Sequence, residues 1–159
     1  MNNPKPENSD AELRYSIFEI SRQNFGVEVQ QVVEVLPLPK YTPLPNVHDS
    51  ILGVFSLRGQ IHSIIDLREL FNLEKKPPQS SDYVVLLTHQ DVVFGVLVNR
   101  IIEITNLDAT KIALPTQEMA VQYIEYTSGY YESPSLGRVY LLDLEAVLNS
   151  PEINRYRYF

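Results

Sequence analysis

The most informative segment of this chain is Gly53-Val54-Phe55-Ser56-Leu57-Arg58-Gly59-Gln60-Ile61-His62-Ser63-Ile64-Ile65-Asp66-Leu67-Arg68. Two apolar runs, residues 51–57 and 61–65, overlap this segment and are joined at Arg58-Gly59. Aliphatic and aromatic residues dominate both runs, which is typical of β-strands packed against a core. Glycine reaches positive φ without steric cost, so Arg58-Gly59 predicts a tight hairpin turn that carries a cation at its corner.

The residues around this hairpin predict a β-rich chain with short helices. Asp66 and Glu69 have the spacing of a helix capping box, which predicts a short helix over 67–71. Residues 37–45 contain four prolines and predict an extended loop, because proline cannot donate to a strand ladder. Residues 74–81 predict a polar linker.

Length and composition exclude several classes of function. The chain has 159 residues, 44% of them hydrophobic, which indicates a globular protein of one domain or of two very small ones. Its net charge of −7 disfavours a nucleic-acid partner, since phosphate binding needs a basic face. It has no cysteine, so disulfides, thiolate catalysis and zinc–thiolate sites are excluded. Residues 1–12 have no apolar core of a signal peptide and predict a disordered tail, so the expected location is cytoplasmic, with no insertion into a membrane.

An internal sequence repeat indicates a duplicated unit. The segment from Phe25 to Val35 is matched by the segment from Phe94 to Ile104, and residues 64–67 are matched by residues 141–144. A sheet this small leaves unpaired edges, and closure into a barrel removes them. We therefore predict two small β-barrels packed on each other. The predicted bounds are 13–73 and 82–150, with the linker 74–81 between them and a tail over 151–159.

The same residues carry a family resemblance. Gly-Val-x-Ser-Leu-Arg-Gly over 53–59, followed by Ile-Asp-Leu-Arg over 65–68, resembles the signature of CheW-like domains. The chain departs from the usual pattern at Ser56, where asparagine is common, and at His62-Ser63, where Val-Pro is common. The resemblance extends over 15–149 and implies an all-β fold of two SH3-like five-stranded barrels.

The resemblance also implies a function and partners. CheW-like proteins are non-catalytic adaptors that couple chemoreceptors to the histidine kinase CheA, in receptor arrays at the inner membrane. One barrel is expected to meet the regulatory domain of CheA and the other a second kinase. The groove between the barrels is expected to hold the cytoplasmic tip of the receptor. The residues that match this groove are Val32, Tyr83 and Ile104.

Arg58 has two possible roles at its corner. It contacts a partner directly, or it pairs inside the fold with a carboxylate, for which Glu34 matches the acidic position near the motif arginine in CheW-like proteins. We prefer the internal pair and treat it as buried, so that it shapes the corner to which partners bind. The candidate binding residues here are Glu34, Gly53, Leu57, Arg58 and Gly59.

Enzymatic and ligand-binding alternatives receive less support. His48, His62 and His89 have no metal-ligand spacing, and the glycines form no nucleotide-binding loop, so we predict no metal, no cofactor and no catalysis. A triad of His62, Ser63 and Asp66 is disfavoured, because neighbouring strand residues point to opposite faces. A small-molecule-binding double barrel remains the alternative, and a polar interior would distinguish it.

The end of the sequence carries one further hypothesis. Residues 155–159, Arg-Tyr-Arg-Tyr-Phe, resemble the pentapeptide by which some chemoreceptors tether a methyltransferase. A tail that packs on its own barrel, or on nothing, is the preferred interpretation.

Overall fold

The computed structural model describes residues 12–156, and β-strands are the main regular structure of that part of the chain. Its strands are β1 (Glu12–Ile20), β2 (Gln23–Glu28), β3 (Val32–Pro37), β4 (Ile51–Leu57), β5 (Gln60–Ile65), β6 (Tyr83–His89), β7 (Val92–Val98), β8 (Arg100–Asp108), β9 (Thr127–Ser133) and β10 (Gly137–Leu142). Its helices are α1 (Leu67–Leu70), α2 (Val121–Tyr126), α3 (Leu144–Leu148) and α4 (Pro151–Asn154). The prediction of a mainly β fold with short helices is confirmed.

The strands form two five-stranded sheets of the same design. Sheet A has the order β8-β1-β2-β10-β9, and sheet B has the order β3-β6-β7-β5-β4. Each sheet is antiparallel apart from one central parallel pair, β2 with β10 in sheet A and β5 with β7 in sheet B. Exchanging each strand for its counterpart five strands along the chain turns one order into the other. The predicted duplication is therefore visible in the topology.

The predicted division of the chain into consecutive barrels is wrong. Sheet A takes its first two strands, β1 and β2, from the first repeat and β8, β9 and β10 from the second. Sheet B takes β3, β4 and β5 from the first repeat and β6 and β7 from the second. The crossing to the other sheet occurs inside the first repeat, where the chain leaves β2 through the short 3-10 segment Val29–Gln31 and β3 then pairs with β6 rather than with β2. Residues 13–73 and 82–150 each contribute to both sheets.

Within residues 12–156, the strand ladders leave both sheets open, but each is bridged across its gap. The chain beyond edge strand β3 meets the opposite edge strand β4 through paired backbone hydrogen bonds between Thr42 and Val54, of 2.8 and 2.9 Å. The chain beyond edge strand β8 meets β9 in the same way, through Ala113 and Tyr130 at 2.9 Å. The bridges cover part of two strand edges that would otherwise stay unpaired.

A glycine admits the incoming backbone at each bridge. A Cβ on Gly53 would lie 2.5 Å from the carbonyl oxygen of Thr42, and one on Gly129 would lie 2.7 Å from that of Ala113. Both glycines adjoin a β-bulge in the ladder to the neighbouring strand. Gly53 is thus required by close backbone packing, and it is matched in the second repeat by Gly129.

We expect Gly53→Ala to lower the free energy of unfolding by about 1–3 kcal/mol, because the added methyl group forces the backbone at Thr42 away from β4. Thermal melts of the full chain measure the effect. Gly26→Ala is the matched control, since its Cβ would approach side chains and no backbone, at 3.2 Å or more, with Leu141 the nearest. Equal melting temperatures for the two variants would contradict this account.

The buried apolar side chains form three clusters, one between the sheets and one on each sheet alone. The main cluster lies where sheets A and B face each other, with Phe18 and Phe25 from sheet A, Phe94 from sheet B, and side chains from all four helices. A second cluster covers the other face of sheet A and includes Ile17. The third covers the other face of sheet B. Ile17 and Phe18 are neighbours in β1 and enter different clusters, because successive strand residues point to opposite faces of the sheet.

The structure changes some of the predicted boundaries of the linker and the tails. Residues 74–81 form a connection without regular structure, as predicted. The tail predicted over 151–159 instead begins with α4, whose Ile153 is buried in the main cluster. The predicted disorder over residues 1–12 falls, apart from Glu12, outside the described residues. The methyltransferase hypothesis for residues 155–159 falls largely outside them too, and it stays a prediction.

Candidate partner-binding site

The hairpin corner is a two-residue turn between β4 and β5. Arg58 has φ +49° and Gly59 has φ +79°, and the flanking residues Leu57 and Gln60 are paired across the ladder. Positive φ at both central positions is the turn that matches the right-handed twist of a hairpin. Glycine takes this conformation readily at position 59, whereas Arg58 takes it at a steric cost.

A bidentate ion pair joins this corner to the edge strand β3. Nη1 of Arg58 donates to Oε2 of Glu34 at 2.7 Å, and Nη2 donates to Oε1 at 3.0 Å. Glu34 lies in β3 and Arg58 at the tip of the β4–β5 hairpin, so the pair links the two edge strands of sheet B. The predicted internal pairing is present in the structure.

The pair is more exposed than the sequence analysis assumed. The side chain of Arg58 is 71% exposed and that of Glu34 is 29% exposed. The expectation of a buried pair, costly to break, is therefore wrong, because water solvates the guanidinium on its open side. The pair orients the corner and contributes little to stability.

We expect the carboxylate of Glu34 to titrate below the ordinary pKa of a glutamate side chain. The hydrogen bonds and the charge of Arg58 lower the pKa of Glu34 from its ordinary value near 4.5. The pair is thus fully present above the ordinary pKa and is lost as the pH falls through the lowered one. Carbon-13 NMR of the side-chain carboxyl groups measures the midpoint. In Arg58→Gln the midpoint should rise, and a midpoint that stays the same would contradict the assigned cause.

The other predicted site residues are spread over both sheets. Leu57 ends β4 and packs against the cluster of sheet B. Val32 is half-buried against the main cluster and pairs with Leu87. Tyr83 pairs with Pro37 at the other end of the same two strands, roughly 16 Å away at about 3.3 Å per residue. Ile104 lies in sheet A. The ladder does not bring Val32 and Tyr83 together.

Exposed apolar side chains near the corner escaped the sequence analysis. Ile61 follows the turn by two residues and is 74% exposed, and Val33 and Val35 flank Glu34 with 51% and 40% exposed. The alternation of β5 was a signal that could have identified Ile61 as exposed. His62 and Ile64 face inward, so Ile61, one residue before His62, points to the opposite face. Together with the ion pair, these three side chains form what we call the corner surface.

A buried ion pair at the start of α1 also escaped notice. Nε and Nη2 of Arg68 donate to Oδ1 and Oδ2 of Asp66, both at 2.8 Å, and the side chains are 5% and 2% exposed. Nη1 of Arg68 donates to the carbonyl oxygen of Lys76 at 2.8 Å, so the pair anchors the linker. Hydrogen bonding to Asp66 raises the pKa of Arg68. Both residues were quoted in the motif, but the sequence showed only the capping role of Asp66.

This buried pair also answers two sequence hypotheses. Asp66 caps α1 by accepting from the backbone N–H of Arg68 at 3.1 Å, while Glu69 accepts from Lys75 instead of reaching back to the cap. The helix is confirmed, and the reciprocal capping box is wrong. Both oxygens of Asp66 accept hydrogen bonds from Arg68, and among the described residues no hydrogen bond joins Asp66 to His62. Residues 12–156 contain no cluster of three potential metal ligands.

Comparison with known proteins places the chain in a family. The family model described as "CheW-like domain" matches residues 14–152. The chain belongs to the CheW-like family. The match covers both sheets, including the ion-paired corner and the buried pair at α1.

Individual CheW-like proteins show the same relationship. The chain is 31% identical over 142 residues to "Chemotaxis protein CheW" of Klebsiella aerogenes, covering 87% of this chain and 83% of that protein. It is 30% identical over 121 residues to "Protein PilI" of Pseudomonas aeruginosa, covering 75% and 68%. The solved structure of the scaffolding protein TtCheW from Thermoanaerobacter tengcongensis superposes with a TM-score of 0.78 at 18% identity, covering 88% and 94%, and shows the fold.

CheW-like membership sets the general function. The chain is an adaptor of the chemotaxis coupling type, in a family whose members act as scaffolds. Among the described residues, no helix is long and apolar enough to cross a bilayer.

Proposed function

We propose that this chain couples the cytoplasmic tips of chemoreceptors to a CheA-type histidine kinase, and that it does so without catalysis, by holding both partners at once. Its location in this proposal is the cytoplasm, in receptor arrays at the inner membrane. The observation that carries the proposal is the Glu34–Arg58 corner, which occupies the family signature and presents apolar side chains at the surface.

The corner surface is our candidate contact with the kinase. Ile61, Val33 and Val35 are exposed apolar side chains beside a polar ion pair, a combination common at interfaces between proteins. Arg58 and Glu34 hold the hairpin against β3, so the pair sets the relative position of these side chains. In this proposal the pair contributes orientation, and the apolar side chains contribute binding energy.

We retain the receptor-binding groove that the resemblance to CheW-like domains implies. Ile104 is 55% exposed and Tyr83 is 36% exposed, so both are accessible to a helical partner. Val32 is half-buried against the main cluster, and its role would be to support the groove rather than to contribute a large contact. Two sheets with a shared cluster between them would act as two small barrels that present separate surfaces to separate partners.

The small-molecule alternative receives no support from the interior of the sheets. The cluster inside each bridged sheet is built from apolar side chains, such as Leu141 in sheet A and Leu86 in sheet B. A ligand-binding barrel needs convergent polar groups inside. The filled apolar interiors favour the adaptor.

The proposed kinase contact predicts a loss of binding without a loss of fold. Ile61→Asp should weaken binding to the regulatory domain of the kinase by about tenfold or more, as for an interface side chain worth about 1–2 kcal/mol. The melting temperature should stay the same, because Ile61 is 74% exposed. Titration calorimetry with the purified kinase domain measures the affinity.

Two variants control this experiment. Leu114→Asp is matched in exposure, at 75%, and lies outside the corner surface, so it should bind the kinase normally. Ile104→Asp should keep kinase binding and lose binding to a receptor fragment. Ile61→Asp should lose kinase binding and keep binding to the receptor fragment. Equal effects of Ile61→Asp and Leu114→Asp on kinase binding would refute the proposed surface.

A further inference from the structure

Helix α2 exposes an apolar face close to the last helix of the described chain. Val121 and Ile124 are 57% and 41% exposed. They are three residues apart in one helix, so their side chains lie next to each other on the same face. Tyr123 and Tyr126 of this helix pack on the main cluster instead. Adjacent exposed apolar side chains often mark a contact surface.

The helical segments around this face are acidic. Helix α2 contacts α3, and α3 contacts α4. Residues 112–127, which contain α2, and residues 143–154, which contain α3 and α4, include five carboxylates and no lysine or arginine. None of these carboxylates forms an ion pair within residues 12–156; they are Glu118, Glu125, Asp143, Glu145 and Glu152. An acidic surface with an apolar face favours a segment that carries both cations and aromatic side chains.

One of these carboxylates has a buried oxygen without a partner. Oε2 of Glu152 is shielded from water and accepts no hydrogen bond from the described residues. Burial, and then the charge of Glu152, raise the pKa of Tyr126, so this carboxylate lies near the last residue of α2. Buried polar atoms without partners are uncommon, and a carboxylate oxygen is satisfied by an N–H or O–H donor. A donor from outside residues 12–156 would complete this site.

The chain beyond α4 carries the complementary groups. Residues 155–159 are Arg-Tyr-Arg-Tyr-Phe, with two cations, three aromatic residues and no acidic side chain. The N–H of Tyr156 donates to the carbonyl oxygen of Ile153 at 3.0 Å, which holds the chain against α4 up to that residue. Three further residues span about 10 Å, which is also about the diameter of a helix with its side chains. Residues 157–159 are therefore long enough to pass from α4 to the exposed face of α2.

We propose that residues 157–159 pack back onto the exposed face of α2 in the same molecule. Tyr158 and Phe159 cover the apolar pair of side chains, and Arg157 supplies the donor for Oε2 of Glu152. While this segment is bound, the face is closed to other proteins. The inference does not rest on the proposed adaptor contacts, since neither the corner surface nor the residues matched to the receptor groove lie in α2 or α4.

Methyl NMR tests this docking. The chain of 159 residues is compared with a variant truncated after Tyr156. Truncation should shift the methyl signals of Val121 and Ile124, because the aromatic rings no longer lie over them. It should leave the methyl signals of Ile61 in place, which also reports an intact fold. In the full chain, nuclear Overhauser effects should join the ring protons of Phe159 to the two shifted methyl-bearing side chains at every protein concentration.

Matched substitutions test the two parts of the contact, with the docked fraction read from the methyl signal of Ile124. Val121→Asp should lower the ratio of docked to free molecules about tenfold, as for an apolar contact side chain, whereas Ile61→Asp at the corner should leave it unchanged. Val121 is exposed at the first position of α2, so its variant keeps the fold. Arg157→Ala should lower the ratio about three- to tenfold, as for a lost hydrogen bond to a carboxylate. Arg14→Ala, at an exposed arginine in β1, should not lower it.

Three outcomes would overturn the proposal. Unchanged methyl signals after truncation would show that residues 157–159 do not lie on α2. Methyl shifts in the full chain that grow with protein concentration would assign the face to a second copy of this chain. Equal effects of Val121→Asp and Ile61→Asp, or of the two arginine variants, would show that neither the apolar pair nor Arg157 forms the contact.

Discussion

Neither half of this chain should fold alone, and the two halves mixed together should restore the native sheets. Fragments 1–78 and 79–159 separate β1–β5 from β6–β10, whereas each sheet needs strands from both sets. The N-terminal fragment would keep the β1–β2 and β4–β5 hairpins. It would lack β10 and β7, the partner strands of the two parallel pairs. Half-sheets with open edges and a divided main cluster cannot offset the entropy of ordering the chain.

Proton–nitrogen NMR spectra measure this expectation. Each fragment alone should show poor dispersion, and the equimolar mixture should show the dispersed spectrum of the intact chain. As a control, the folded chain cleaved at a protease site placed in residues 74–81 should stay folded, because the cut lies in the connection and breaks no strand. A well-dispersed spectrum from either fragment alone would contradict the exchange of strands between the repeats.

Arg68→Ala should be among the most destabilising single substitutions in the chain. It leaves the buried carboxylate of Asp66 with only Lys75, at 3.9 Å, as a neighbouring cation, and breaking a buried pair in this way costs about 3–5 kcal/mol. It also removes the hydrogen bond that anchors the linker at Lys76. For a domain of this size the melting temperature should fall by roughly 10 °C, which calorimetry or circular dichroism measures.

Arg58→Ala is a matched control for this substitution. Both arginines form a bidentate pair with a carboxylate, but Arg58 is 71% exposed and Arg68 is 5% exposed. The melting temperature of Arg58→Ala should therefore stay close to that of the parent chain. Removing the carboxylate as well, as Asp66→Ala with Arg68→Ala, should recover part of the loss, because the two residues are coupled. If the two arginine variants melt alike, burial is not the cause.

Features encoded by neighbouring residues could be predicted from the sequence. The Arg58-Gly59 turn, the helix after Asp66 and the duplication all depend on patterns of a few residues. The Glu34–Arg58 pair was predicted through the family resemblance rather than from spacing, since the partners are 24 residues apart. Its exposure could not be predicted, because exposure depends on how the hairpin tip lies against β3.

Other features depended on contacts between distant segments. The need for Gly53 comes from the backbone at Thr42, and the burial of Arg68 comes from the linker passing over it.

The amino-acid pattern was enough to predict a mainly β, duplicated protein with a charged hairpin corner, because periodicity, turn residues and repeats act over short distances. Which strands share a sheet became known from the folded structure. Strand pairing is a long-range choice, and the two repeats are similar enough that β3 has a suitable edge in either half. The exchange is selected by the main cluster, which forms only when both sheets are complete and packed face to face.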